Sequence, residues 1–289
     1  MVSSWCYFIL PMVLIIGLLR KCRERTWGRC KSTSNLQGQV FLVTGANSGI
    51  GKETVKELIK RKATVIMACR DVQSAKNVIA EIRSKIPTGE LIPMELDLAS
   101  FSSIREFANA VLRNFPKIHV LINNAGVYAP LKDRALTKDG FEIHFGVNHL
   151  GHFLLTNLLL DRLKQSAPSR IVVVTSKLLE SGIIDFENLN GERGLPVKSR
   201  MNPGYCNSKL ANAYFAAELA KRIENTGVNV YMGAQTVLHC ATESLLSEES
   251  GHLYRDCKLY VSKKDLDSET ALRLWDISAK LTGIKETVK

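Results

Sequence analysis

Val40-Phe41-Leu42-Val43-Thr44-Gly45-Ala46-Asn47-Ser48-Gly49-Ile50-Gly51 is the stretch on which the reading of this chain turns. Its apolar start predicts a buried strand. The glycines that follow let the backbone turn sharply and come close to a ligand. Beyond them Val55, Leu58 and Ile59 recur at helical spacing. A helix beginning there presents unpaired N–H groups and the positive end of its dipole, which suits a pyrophosphate. The spacing is G-x-x-x-G-x-G, not the commoner G-x-G-x-x-G. A plain glycine turn is the simpler alternative; the strand–turn–helix context favours phosphate binding. Gly45, Asn47, Ser48, Gly49, Ile50, Gly51 and Lys52 are the first candidate binding residues.

Working outward, strands and helices alternate. Strands are expected over Gln37–Thr44, Thr64–Ala68, Leu91–Leu96, Ile118–Ile122 and Arg170–Thr175. Helices are expected to about Lys62, near Val72–Lys85, over Phe101–Asn114 and from near Asp139 to Gln165. Such alternation defines the α/β class: a Rossmann-type, doubly wound parallel sheet in a single domain. Where the second strand ends, an acidic residue would bind a ribose 2′-OH. Here Cys69-Arg70 stands there, followed by Asp71. Arg70, helped by Lys52, can pair with a 2′-phosphate, so NADP(H) is expected over NAD(H); a solvated surface pair is the alternative. Asp97-Leu98 after the third strand either holds an adenine amino group or caps the next helix. Asn123-Asn124-Ala125-Gly126 either forms a turn or lines the cofactor cleft.

Hydrophobic residues make up 45% and charged residues 23% of the 289 residues, a globular balance. The net charge of +11 is uneven. Arg20, Lys21, Arg23, Arg25, Arg29 and Lys31, against Glu24, follow an apolar run from Trp5 to Leu19 that Pro11 interrupts. No basic-aromatic stripe runs through the body, so nucleic acid is not an expected partner. Positive charge after the apolar run, with no small-residue cleavage site, fits a signal anchor better than a cleaved signal peptide or a buried helix. The expected organisation is an N-terminal membrane-anchor helix at 1–19, a basic juxtamembrane linker at 20–36, and a cytosol-facing domain at 37–289. The seven scattered cysteines contain no C-x-x-C, which suggests neither zinc nor a disulfide framework. His149 and His152 could share a metal, but packing roles suit them better; His119, His144, His239 and His252 carry no argument.

Tyr205 and Lys209 are four apart on a helical pattern and share its face. An ammonium beside a phenol lowers the phenol's pKa, which suits proton transfer to or from a carbonyl oxygen. Ser176, ending the fifth strand, can hydrogen-bond that oxygen. Asn148 lies on the long helix that should cross the sheet.

Together these motifs resemble the short-chain dehydrogenase/reductase family over roughly residues 38–231. The family's glycine motif matches Gly45, Gly49 and Gly51, its N-N-A-G motif Asn123 to Gly126, and its catalytic tetrad Asn148, Ser176, Tyr205 and Lys209. Within it the chain looks most like the membrane-anchored retinol dehydrogenases of the 11–14 group. The similar stretches are 67–71, 145–156, 166–170 and 208–212. The resemblance implies hydride transfer between NADP(H) and a retinoid or other lipid aldehyde, with Tyr205 as proton donor and Ser176 holding the carbonyl. It implies that Lys209 binds the nicotinamide ribose and depresses the Tyr205 pKa, and that Asn148 helps hold a water. Asn124, Ala125, Gly126, Tyr205 and Lys209 join the cofactor residues, an endoplasmic reticulum membrane is the implied location, and a homodimer is possible.

One departure stands out. Family members follow the sixth strand with a Pro-Gly turn and a substrate lid, yet no proline occurs here after Pro203. Met232 leads at once into Gly233–Ala241, which resembles the helix beyond the lid. A clipped sixth strand and weakened substrate closure are expected. The alternative function is therefore a catalytically impaired NADP(H)-binding membrane protein. His252–Asp256 is expected as the last strand and Ser268–Ile284 as a C-terminal helix.

Overall fold

The computed structural model describes residues 30–130, 135–196, 201–234, 236–247 and 249–285, with Gly28 and residues 9, 11–13 and 15–17 before them. Those seven N-terminal residues are helical; the rest of the expected anchor and residues 20–27 of the linker lie outside the described residues. Among the described residues no helix is long and apolar enough to cross a membrane.

Eight strands form one sheet in the order β3-β2-β1-β4-β5-β6-β7-β8. They are β1 (Val40–Thr44), β2 (Thr64–Cys69), β3 (Glu90–Glu95), β4 (Val120–Asn123), β5 (Ser169–Val174), β6 (Val228–Ala234), β7 (His252–Arg255) and β8 (Lys258–Leu259). Neighbours from β3 to β7 are parallel, and β8 returns antiparallel on β7. Strand order reverses between β1 and β4, the crevice where open α/β sheets bind ligands. Pro93 in β3 is tolerated because β3 is an edge.

Alternate strand residues point to opposite faces, so each face has its own core. Leu42, Ile66, Leu121, Ile171 and Val230 face one way, against α3 (Phe101–Asn114), α4 (Gly151–Gln165), α5 (Pro203–Arg222) and α7 (Ser268–Thr282). Phe41, Val43, Val65, Ile122 and Tyr231 face the other, against α1 (Gly49–Lys60), α2 (Val72–Arg83) and α6 (Val237–Thr242). Covering on both faces is what continuous apolar strands such as Ile171-Val172-Val173-Val174 require.

Several expectations change. The helix anticipated from Asp139 is instead a turn closed by Thr137 and Phe141, then a π-helical turn over Phe145–Leu150 that runs into α4. β6 is not clipped: it has seven residues and pairs with β5 as far as Val174↔Gly233 and with β7 as far as Ala234↔Arg255. Ladder partners on both sides hold it extended, and two residues lie between it and α6. Residues 30–36 pack on the domain; Leu36 is buried and its N–H donates to Arg61 O at 2.7 Å.

His149 and His152 are both buried in the core and hydrogen-bonded to protein groups. His149 Nε2 lies 2.9 Å from Ser278 Oγ beneath α7. Burial pushes its pKa down to about 3 and that of His152 to about 4. Both are neutral in the folded protein, whereas the unfolded chain protonates them below about 6.5. Stability is therefore complete above that pH and is lost as pH falls toward the folded values. Urea unfolding in detergent should show stability falling steeply as pH drops from 6 to 5, with about two protons taken up on unfolding. A flat profile there would show that the two imidazoles are not buried neutral.

Candidate active site

The glycine loop joins β1 to α1 at the crevice. Gly45 has φ +63°, and a Cβ there would fall 2.9 Å from Ala125 Cα. A Cβ on Gly51 would fall 2.3 Å from Gly45 O. The loop thus packs directly on the end of β4. Ser48 is the N-cap of α1 but its side chain makes no capping bond. The first N–H groups of α1 are left to whatever enters the cleft. That cleft, about 490 Å³, is lined by Gly45, Asn47, Ser48, Gly49 and Ile50 on one side and by Asn124, Ala125 and Gly126 on the other.

Thr44 binds the two walls together. Its Oγ1 accepts from Asn124 N and Ala125 N, each at 2.9 Å. His152 Nδ1–H donates to Asn148 O at 2.9 Å, which leaves Nε2 to accept from the Thr44 hydroxyl at 2.9 Å. Asn124 Nδ2 donates back to Thr44 O. The N-N-A-G residues are therefore both turn and cleft wall.

Arg70 and Asp97 line the cleft's far end, with Leu98 beside them. Arg70 is exposed at the end of β2. Asp97 does not cap α3; Ser100 does, accepting from Ser103 N. Asp97 accepts from Ala99 N and pairs with Lys138 at 2.9 Å. Burial opposes its charge, but Lys138 and the Ala99 N–H hold its pKa below the usual value. Lys52 departs from expectation: its Nζ pairs with Glu81 at 2.7 Å on α2, so it does not stand beside Arg70 in the cleft wall.

Past Gly126 the cleft reaches the catalytic candidates. Asn202 caps α5, its Oδ1 accepting from Gly204 N at 2.8 Å, with Pro203 in the first helical turn. Tyr205 and Lys209 then rise on one face. Lys209 is buried, and its Nζ donates to Val174 O at 2.9 Å. A Cβ on Gly126 would lie 3.6 Å from that Nζ. Thr175 Oγ1 donates to Lys209 O, and Ser176, the next residue, opens the short helical turn Lys177–Ser181. Ser176, Tyr205 and Lys209 are thereby gathered at the carboxyl end of β5.

Asn148 sits in the π-helical turn, a feature often found at functional sites. Its Oδ1 accepts from Val127 N at 2.8 Å and its Nδ2 donates to Ser208 Oγ at 3.0 Å. The amide is thus engaged by protein groups and links the Gly126–Tyr128 loop to α5. The Tyr205 pKa also departs from expectation. Burial raises it, with Cys206 and Tyr128 adding to the effect. Burial pushes Lys209 itself down to about 8, and its Nζ, 5.6 Å from the phenol centroid, is turned to Val174 O.

Three residues without a motif of their own, Tyr128, Glu142 and His144, also meet at the site. The rings of Tyr128 and His144 stand edge-on to Tyr205 at 5.2 Å and 6.2 Å. Ala129 N–H donates to His144 Nε2 at 2.9 Å, so Nδ1 carries the proton and donates to Glu142 Oε1 at 2.6 Å. Glu142 Oε2 accepts from His144 N and Phe145 N. Burial opposes the Glu142 charge, but His144 and these N–H groups hold its pKa below the usual value. The only local signal was the proximity of a carboxylate and an imidazole two residues apart, which no regular helix would bring together. The His144 ring, fixed by Glu142 and Ala129, limits where the Tyr205 ring can stand. His144→Phe should lower kcat by about 10- to 100-fold with the cofactor Kd unchanged. His144→Gln, which keeps an acceptor for Ala129 N–H, should recover part of the loss; equal rates in both variants and wild type would contradict this role.

These features place the chain in a family. A family model described as short chain dehydrogenase matches residues 39–249. Human retinol dehydrogenase 11 is 42% identical, with 96% of each chain covered. Human retinol dehydrogenase 12 is 42% identical over 89% of this chain and 90% of its own. The first alignment spans 312 positions, more than the 289 residues here, so that relative has residues without a counterpart. A crystal structure of a Mycobacterium paratuberculosis protein is 32% identical, with a TM-score of 0.72 over 89% of this chain and 98% of that one. A metagenomic short-chain oxidoreductase solved in complex with NADP shares the fold, at 24% identity and a TM-score of 0.57 over 75% of this chain and 94% of its own. The chain belongs to the short-chain dehydrogenase family. It is an oxidoreductase dependent on a nicotinamide dinucleotide.

Proposed function

We propose that the protein reduces retinal or a related lipid aldehyde with NADP(H), held at a membrane by its N-terminal segment. The observation that carries this reading is the Tyr205 hydroxyl. Among the described residues no protein group engages it, although Ser176 and Lys209 gather beside it at the end of β5. The wall from Gly45 to Gly126 fits a dinucleotide. Close packing of Gly45 on Ala125 and the uncapped start of α1 suit a pyrophosphate, and exposed Arg70 suits a 2′-phosphate. Retinol dehydrogenases among the relatives support the substrate class.

When bound, the nicotinamide supplies or accepts the hydride. Tyr205 moves the proton at its hydroxyl, to the carbonyl oxygen in reduction. A phenol is protonated at neutral pH, the state a proton donor needs. Ser176 offers a hydroxyl to the same oxygen. Lys209, anchored on Val174 O, holds the floor of the site and can reach a ribose hydroxyl. Glu142 and His144 hold the Tyr205 ring.

The test is NADPH oxidation by the full chain with all-trans-retinal. Turnover supports the reductase. Intact NADPH binding without turnover would instead support the binding-protein reading, which the two-residue link between β6 and α6 favours. Arg70→Asp should weaken NADPH relative to NADH by about tenfold or more; an unchanged preference would remove Arg70 from the 2′-phosphate site. Protease added to intact microsomes should digest the domain if it faces the cytosol, and sedimentation in detergent would read the implied homodimer.

A further inference from the structure

The parallel strands all end on one edge, and the cofactor cleft and Tyr205 lie there. The β7–β8 turn lies there too, because β7 is parallel to β6 and ends at Arg255. Asp256 and Cys257, with φ +51° and +58°, reverse the chain into β8. The N-terminal segment comes to the same place. Gly28 passes against this turn so closely that a Cβ on it would overlap Asp256 O. From there the chain runs between α1 and α6, where Ser32 Oγ donates to Thr242 O at 3.0 Å, and on to β1. Gly28, which follows Arg20, Lys21, Arg23 and Arg25 of the basic cluster in sequence, therefore stands at the carboxyl edge of the sheet, beside the β7–β8 turn.

At that turn the molecule exposes apolar and basic side chains together. Leu259 is 60% and Val261 85% exposed. They share one face of an extended segment, while Tyr260 between them turns inward. Tyr260 N donates to Leu253 O at 2.7 Å, and its hydroxyl donates to Glu180 Oε1 at 2.5 Å. Glu180 belongs to the turn that begins directly after Ser176. The exposed pair is thus braced to the loop carrying the candidate catalytic serine. Lys258 and Lys263 are exposed around it.

We propose that the β7–β8 turn and the segment to Lys263 dock on an anionic lipid bilayer, which sets the mouth of the catalytic cleft against the membrane surface. The proposal rests on the reading of the N-terminal stretch as an anchor and adds a second contact to it. Apolar side chains flanked by Lys258 and Lys263, with Asp256 already paired to Arg255 at 3.5 Å, suit the boundary between headgroups and acyl chains. A second copy of this chain would instead set like charges, Lys258 and Lys263, against each other across the edge. An aldehyde dissolved in the bilayer would then reach Ser176 and Tyr205 without crossing bulk water.

The experiment is amide hydrogen exchange on the full chain, in detergent and on vesicles of phosphatidylcholine with phosphatidylserine. Exchange over residues 256–264 should slow about tenfold or more on the anionic vesicles. Leu259→Glu with Val261→Glu should return it to the detergent rate. Both sites are exposed, so folding should survive, and unchanged exchange in β1 and β4 would verify that. Lys258→Glu with Lys263→Glu should remove most of the protection as well. Equal exchange with and without vesicles overturns the proposal. So does protection in detergent that grows with protein concentration, which would mark a protein–protein contact. This readout needs no turnover, so its failure is separate from that of the reductase reading, and alkaline extraction of membranes scores the anchor independently.

Discussion

Tyr205→Phe is expected to lower kcat for aldehyde reduction by about 10²- to 10⁴-fold, the range a positioned general acid contributes. NADPH affinity should stay within about twofold of wild type, because the cleft wall from Gly45 to Gly126 does not include the phenol. The ring that remains still packs edge-on against Tyr128 and His144, so the fold loses no buried volume. Single-turnover hydride transfer, followed at 340 nm beside a fluorescence titration of the cofactor, separates the two quantities. Wild-type turnover in the mutant would remove Tyr205 from the chemistry. A matching loss of cofactor binding would show that the phenol serves the dinucleotide instead.

Gly51→Ala should be the most damaging single change at the cofactor cleft. The new methyl would sit 2.3 Å from Gly45 O and 2.7 Å from Asn124 Nδ2. Neither neighbour is a free chain end: one is backbone, and the other donates to Thr44 O at 2.8 Å. Relief requires the β1–α1 turn to lift off the end of β4, which widens the seat for a pyrophosphate. NADPH Kd should rise by about 100-fold, and stability should fall by about 1–3 kcal/mol. Gly49 is the useful contrast. Nothing lies within 4 Å of its added Cβ, but its φ is +50°. Gly49→Ala should cost about 1–2 kcal/mol for the left-handed backbone alone, and Gly49→Asn less. Calorimetric titration with NADPH and thermal melts check the ranking; equal effects at 49 and 51 would refute the close-packing argument.

What could be read without coordinates was whatever a local pattern encodes. Val40–Val43 followed by Gly45, Gly49 and Gly51 announces a strand, a turn and a helix within twelve letters. Ile171–Val174 is legible as a doubly covered strand because no polar residue interrupts it. Tyr205 and Lys209 are legible because four residues make one helical turn. The features that escaped depend on groups meeting across the fold. Phe145–Leu150 has the same apolar spacing as an α-helix, and its widening follows from Asn148 binding Val127 and Glu142 binding two backbone N–H groups. β8 escaped because Asp256 and Cys257 take positive φ without a glycine to signal a hairpin. The hydrogen bond of Lys209 also escaped, because spacing places side chains on a face but does not say which carbonyl one of them will choose. Val174 O was that carbonyl.

The two residues between β6 and α6 bear on the rhythm of turnover. Many enzymes in which a flap folds over the substrate are paced by its opening. In this chain β6 runs to Ala234 and α6 begins at Val237, so no swinging segment from that junction can act as the clock. Product release should not wait on that junction, and a deuterated hydride donor, compared in the steady state and in a single turnover, reads how much of kcat is the chemical step.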